Sequence, residues 1–179
     1  MRYSKNNMSI TNEEWRSIDG YINYQVSNTG RVRNANTGRI LKPARNKKTN
    51  YYNVGLSNDA GRKTWDIHRL VALDFLEKPE GDDNHKFDAD HIGNNRLNNK
   101  VNNLRWATHQ QNIMNKSKGS KRTTSIYKGV WKETAWRAGI KYNAKAMHLG
   151  SFKSEDEAAR AYNAKALELF GEFAKLNEL

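Results

Sequence analysis

The chain contains no cysteine, which excludes disulfides and the Cys-type structural zinc sites that hold some small nucleic-acid-binding modules together. Any metal must be held by oxygen or imidazole. Long apolar runs are also missing: no stretch of 18 hydrophobic residues exists, and the opening MRYSKNNMSITNEEW has no apolar segment of the signal-peptide kind. A soluble, cytoplasmic protein with no membrane partner and no disulfide partner is expected. Hydrophobic residues make up 36% of the 179 positions, with a mean hydropathy of −0.99. That composition favours small modules over one large core.

Positive charge is plentiful. There are 31 Lys plus Arg against 19 Asp plus Glu, a net charge of +12, and a pI near 9.9. A polyanionic partner follows, and nucleic acid is the leading candidate. The excess lies on the flanks: residues 1–60 hold 10 basic and 4 acidic side chains, 61–115 hold 8 of each, and 116–165 hold 12 and 4. Two phosphate-gripping arms around a neutral reaction centre would have this layout, because a metal site needs local carboxylates and a phosphate grip needs Lys and Arg.

Residues 12–61 read as a small antiparallel β arm. Tyr24–Ser27, Arg31–Arg33 and Arg39–Lys42 alternate apolar and polar side chains, separated by Asn28-Thr29-Gly30 and Asn36-Thr37-Gly38 turns. Arg31, Arg33, Arg39, Lys42, Arg45, Lys47 and Lys48 could meet phosphates, whereas Trp15 and Ile18 read as core. Strands 51–57 and 63–68, joined by Asn58-Asp59-Ala60-Gly61, lead to a helix over 69–76 that Pro79 closes, with a polar loop over 77–84.

The middle of the chain carries the chemistry. In DADHIGNNRLNNKVNNLRWATHQQNIMNK, Asp90 and Asn112 can offer oxygen to a hard cation and His91 can take a proton from water. Asparagine spacing alone is weak, since Asn fills 23 positions of the chain and 8 of the 22 from Asn94 to Asn115. The surroundings are more specific. Asp90-His91-Ile92-Gly93-Asn94, Asn103-Leu104-Arg105-Trp106-Ala107-Thr108 and the earlier Ile67-His68-Arg69-Leu70-Val71-Ala72 together resemble the HNH homing endonucleases of phages and group I introns. The resemblance implies a ββα-metal core over 62–116. In it, Asp90 and Asn112 hold one Mg²⁺ or Mn²⁺, His91 is the general base, and Asn103 steadies the histidine loop. Asn102 is the register alternative to Asn103, His109 is second choice for a catalytic or metal role, and His68 could brace the site or approach DNA. Thr108-His109-Gln110-Gln111 fits a capping box and predicts a helix start there. Residues 14–18 and 24–33 resemble the modular motif associated with nucleases at the N-terminus of many members, where DNA contact is the presumed role.

After a basic linker at 117–124, residues 125–179 resemble the plant ethylene-response-factor (Apetala-type) DNA-binding domain. The resemblance rests on Tyr127-Lys128-Gly129-Val130, Trp136-Arg137-Ala138, Leu149-Gly150-Ser151-Phe152, Glu157–Tyr162 and Phe173–Asn177. Trp136, Ala138, Ile140 and Tyr142 alternate with Arg137, Gly139 and Lys141, which predicts one packed and one open sheet face. Ser154 and Glu157 form a capping box for a helix that packs Ala158, Ala159, Tyr162, Ala166 and Leu169 on the sheet and ends at Gly171. By position in that family, Lys128, Trp131, Arg137, Lys141 and His148 face the major groove. The first hairpin is shorter than in the plant pattern and several of its arginines are absent, so the plant target sequence does not transfer.

The expectation is a modular α+β protein: β arm, metal-dependent nuclease core, and a three-stranded antiparallel sheet packed on one helix. It would cut double-stranded DNA as a monomer, in the cytoplasm of a bacterial host if phage-encoded. A non-catalytic DNA-binding regulator and an RNA-binding protein are the rival classes.

Overall fold

Short strands and side-chain-capped turns dominate the computed structural model, which describes residues 12–80, 86–119 and 124–179. β1 (Trp15–Ile18), β2 (Tyr21–Ser27) and β3 (Val32–Asn34) form an antiparallel sheet in that order. Gly30 and Gly38 take the left-handed φ values, 85° and 70°, that their Asn-Thr-Gly turns require. Asn34 Oδ1 accepts from the backbone N–H of both Asn36 and Thr37, closing the second turn as an Asx turn. The third expected strand fails to form. Of Arg39–Lys42 only Ile40 makes a bridge, to Arg33, and Pro43 stops the ladder immediately afterwards.

β4 (Ala44–Arg45), β5 (Tyr52–Asn58) and β6 (Gly61–Asp66) make a second antiparallel sheet, with the expected tight turn at Asn58–Gly61. α1 (Ile67–Phe75) begins two residues earlier than the sequence pattern suggests. The apolar Ile67 is buried in the helix's first turn, with His68 beside it, instead of completing the strand. Leu76 is already extended, three residues before Pro79. Residues 77–80 are irregular, and the rest of the expected loop, 81–84, lies outside the described residues.

β7 (Phe87–His91) and β8 (Leu104–Thr108) pair antiparallel, with Asp90 opposite Arg105 and His91 opposite Leu104. α2 (His109–Asn115) starts directly after Thr108, where the capping-box pattern puts it. The described chain divides into two compact units between His109 and Gln110. In the first, Ile18, Val26, Val32, Val54, Leu56, Ile67, Leu70, Val71 and Leu104 share one hydrophobic core. Residues 12–61 and 62–109 therefore draw on a common interior, and 110–116 of the expected nuclease segment fall in the second unit. Trp15 stands outside it, half-buried under the guanidinium groups of Arg33 and Arg31, 4.2 and 5.5 Å from its ring centre. The core reading fits Ile18 and not Trp15, because two cations already cover the indole.

The second unit has its own core. β9 (Val130–Lys132), β10 (Trp136–Tyr142) and β11 (Lys145–Phe152) form a sheet with β10 in the centre, and α3 (Glu155–Phe170) packs on it. Val130, Ala138, Ile140, Ala158, Ala159, Tyr162, Ala166 and Phe170 are its buried members. Ser154 Oγ accepts from Glu157 N–H at 3.2 Å, and Glu157 Oε2 reaches back one residue beyond the cap to accept from Lys153 N–H. Gly171, at φ 51°, ends the helix. Gly129 at φ 73° lets the chain lie flat on Tyr162: a Cβ there would sit 2.1 Å from the ring. Of the expected linker, 120–123 lie outside the described residues. The architecture is α+β with small antiparallel sheets, and no helix among the described residues is long and apolar enough to cross a membrane.

Candidate functional site

His91 ends β7, and Asp90 precedes it on the opposite face of the pleat. Both are buried. The Asp90 carboxylate meets its cross-strand partner Arg105 with Nε–Oδ2 at 3.1 Å, and both side chains are nearly closed to solvent. The His91 ring lies 3.1 Å through Nε2 from Asn99 Oδ1, itself buried. An amide oxygen only accepts, so Nε2 carries the proton and Nδ1 the lone pair. Burial lowers the His91 pKa from its usual value, against the upward pull of the Asn99 bond and Asp90, while Arg96 lowers it further. The imidazole is thus neutral at neutral pH, the form a proton acceptor must have.

The loop after His91 is held by Asn103. Its Oδ1 accepts from Gly93 N–H at 3.0 Å and its Nδ2 donates to Asn98 carbonyl at 2.8 Å, while its backbone carbonyl accepts from Ile92 N–H. Asn103 acts on the loop backbone; the side chain on His91 itself is Asn99. No sequence signal separates Asn99 from the other asparagines around it.

Of the two rival histidines, the structure brings His68 to His91. Their ring centres are 4.9 Å apart, and Tyr51 lies against both, 4.4 Å from His68 and 5.7 Å from His91. His68 is 7% exposed and its Nδ1 has no hydrogen-bond partner among the described residues. Burial, with the charges of His91 and Arg69, pushes its pKa down to about 3. His109 is exposed at the start of α2. Asn112 is half-buried within α2, in the second unit. Among the described residues no group of three His, Asp or Glu gathers as a ready metal cage. Asp90 offers a buried carboxylate and Asn112 an amide oxygen, each a ligand type that a hard divalent cation takes.

The basic residues fall into tethered and open sets. Arg31 is paired with Glu13. Arg33 donates to Gln25 Oε1 at 2.8 Å and rests on Trp15. Arg39 and Lys42 are exposed and, with Arg62, Tyr24 and Leu41, line a groove of about 580 Å³. In the C-terminal sheet, register sets Arg137 opposite Trp131 and Gly139 opposite His148, so Trp131, Arg137, Lys141 and His148 share one face. Trp131 and His148 touch edge to face at 6.3 Å. Glu133 also reaches this face, holding Arg137 at 2.9 Å and the Trp131 indole N–H at 3.1 Å. Lys128 leaves the groove-facing set. Its Nζ donates to the carbonyls of Met114 and Lys116, both at 2.7 Å, and burial, with Lys175, lowers its pKa to about 8.

Residues 13–57 match the NUMOD4 motif. The chain is 41% identical over 103 residues to the DNA endonuclease I-HmuI of Bacillus phage SP01, covering 57% of this chain and 56% of that protein. An uncharacterized HNH endonuclease of Acanthamoeba polyphaga mimivirus, L560, is 38% identical over 126 residues, which covers 69% of this chain and 62% of the viral protein. A solved structure, titled DNA binding and cleavage by the HNH homing endonuclease I-HmuI, superposes with a TM-score of 0.50 at 40% identity, covering 57% of this chain and 56% of that one. The chain spans 56% and 62% of the length of these two curated relatives. Tyr51 lies inside the NUMOD4 span, although its ring belongs to the His91 cluster.

Proposed function

We propose that the protein is a divalent-metal-dependent DNA endonuclease of the HNH homing type, which hydrolyses phosphodiester bonds at a site read by its flanking segments. One observation carries this reading: a buried His91 next to Asp90, its Nε2 fixed by Asn99. The likeness to I-HmuI supports it. His91 Nδ1 takes a proton from a water, the water oxygen attacks phosphorus, and the P–O3′ bond breaks in line. Asp90 and Asn112 would hold one Mg²⁺ or Mn²⁺, which when bound supplies positive charge to the phosphoryl and leaving oxygens. Asn103 keeps the His91 loop in shape through Gly93 and Asn98. Double-stranded DNA would be gripped by Arg39 and Lys42 of the first unit and by the Trp131, Arg137, Lys141 and His148 face of the second. That face is where the likeness to the plant ethylene-response-factor domain bears on function. The protein acts as a monomer in the host cytoplasm under this reading.

Incubating wild-type protein and His91→Ala with supercoiled DNA, in Mg²⁺ or EDTA, tests it. Nicking that needs metal and falls by on the order of 100-fold or more in the variant is expected. If neither protein cuts but both retard duplex DNA on a native gel, the reading gives way to a non-catalytic DNA-binding regulator.

A further inference from the structure

The His91 ring is held on one edge by Asn99, but a hydrogen bond along one edge leaves the plane of an imidazole free to swing about the bond. Aromatic neighbours remove that freedom. Tyr51 lies nearly parallel to His91, at an interplanar angle of 13° and a centroid distance of 5.7 Å, while His68 tilts against both rings. Tyr51 is itself fixed. The preceding Asn50 has φ 63°, donates its backbone N–H to Asn46 carbonyl, and accepts from Arg45 Nε at 2.6 Å; Tyr51 carbonyl accepts from Asn46 N–H. Arg96, from the loop after His91, places its guanidinium 5.2 Å from the Tyr51 ring centre and donates to Thr49 carbonyl at 2.9 Å. The turn 46–51 and the histidine loop are thus locked to each other.

We propose that Tyr51 is a positioning residue for the general base: its ring sets the plane of the His91 imidazole, so a segment matching the NUMOD4 motif completes the reaction centre as well as serving the DNA arm. The inference rests on the nuclease reading above. It needs the ring and not the hydroxyl, since the two rings lie in near-parallel, offset planes. A side chain that holds a proton acceptor in line matters at the chemical step, where a misplacement of about 1 Å costs on the order of 100-fold in rate.

The test uses the full chain and four variants: Tyr51→Ala, Tyr51→Phe, His91→Ala and the Tyr51→Ala/His91→Ala double variant. Single-turnover nicking of supercoiled DNA in Mg²⁺ gives the rate, gel retardation gives DNA affinity, and NMR gives the His91 ring-proton signals, identified by their loss in His91→Ala. Tyr51→Ala should lower the rate by on the order of 100-fold with DNA affinity unchanged, Tyr51→Phe should restore it, and Tyr51→Ala should cost nothing further once His91 is gone. The His91 ring signals should move in Tyr51→Ala and stay in Tyr51→Phe. A Tyr51→Ala rate within about threefold of wild type, or a Tyr51→Phe loss equal to it, overturns the proposal. If the wild type cuts no DNA, the nuclease reading fails by itself; the ring signals then judge the geometry, and their staying put in Tyr51→Ala overturns the positioning role.

Discussion

Two buried imidazoles 4.9 Å apart set the pH behaviour at the residue scale. His68 has a folded pKa of about 3 against an ordinary 6.5. Above pH 6.5 the ring is neutral in the folded and unfolded chain alike, so the stability it permits is fully present. As pH falls from 6.5 toward 3, the unfolded chain binds a proton that the folded one excludes, and stability is lost across that window. His68→Phe, which keeps a ring against Tyr51, should flatten the fall in melting temperature between pH 7 and pH 4. His91, shifted the same way, retains part of the slope. An unchanged acid profile would mean that His68 is protonated readily in the fold. The residues of this site were unequally legible in the sequence. Asp90 and His91 stand in a distinctive local run, whereas Asn99 hides among chemically identical neighbours. Tyr51 could not be read at all, because only tertiary folding brings the turn before β5 to the end of β7.

At the scale of elements, the hairpin joining β10 and β11 has a built-in weakness. Asn143 and Ala144 are both left-handed, at φ 47° and 63°, between the paired Tyr142 and Lys145. A two-residue turn of this kind matches the twist of the strands, but alanine bears a Cβ penalty that glycine does not. Ala144→Gly should stabilise the C-terminal unit by about 1 kcal/mol, which would raise its melting temperature by about 4–8 °C. Thermal unfolding by circular dichroism checks this, and a lower melting temperature would contradict it. Elements whose cues are local were legible here. The Asn-Thr-Gly turns, the start of α2 after Thr108 and the Ser154 cap of α3 all follow short-range chemistry. The reading broke down where tertiary demand overrode pattern: Ile67 and His68 turn inward as helix, and Arg39–Lys42 meets Pro43 before a strand can extend.

For the whole molecule, the net charge of +12 should make DNA affinity steeply salt-dependent. Lys141 is exposed on the Trp131 and His148 face, so Lys141→Ala should weaken binding to all sequences alike and reduce the slope of log K against log salt by about 1. Fluorescence anisotropy over a salt series reads both quantities, and an unchanged slope would remove that face from the phosphate grip. Charge could be read as two arms around a centre, yet the N-terminal segment and the nuclease segment share one core. Their surfaces are joined as well. A Cβ on Gly30 would sit 2.7 Å from Asn99 Cβ, and Val101 N–H donates to Asn28 carbonyl, so the turn at 28–30 abuts the residue that fixes His91. Under the proposed nuclease reading, anyone exchanging this arm for another would have to carry over that glycine turn with it. A donor lacking a glycine there would push Asn99 aside and with it the hydrogen bond that fixes His91.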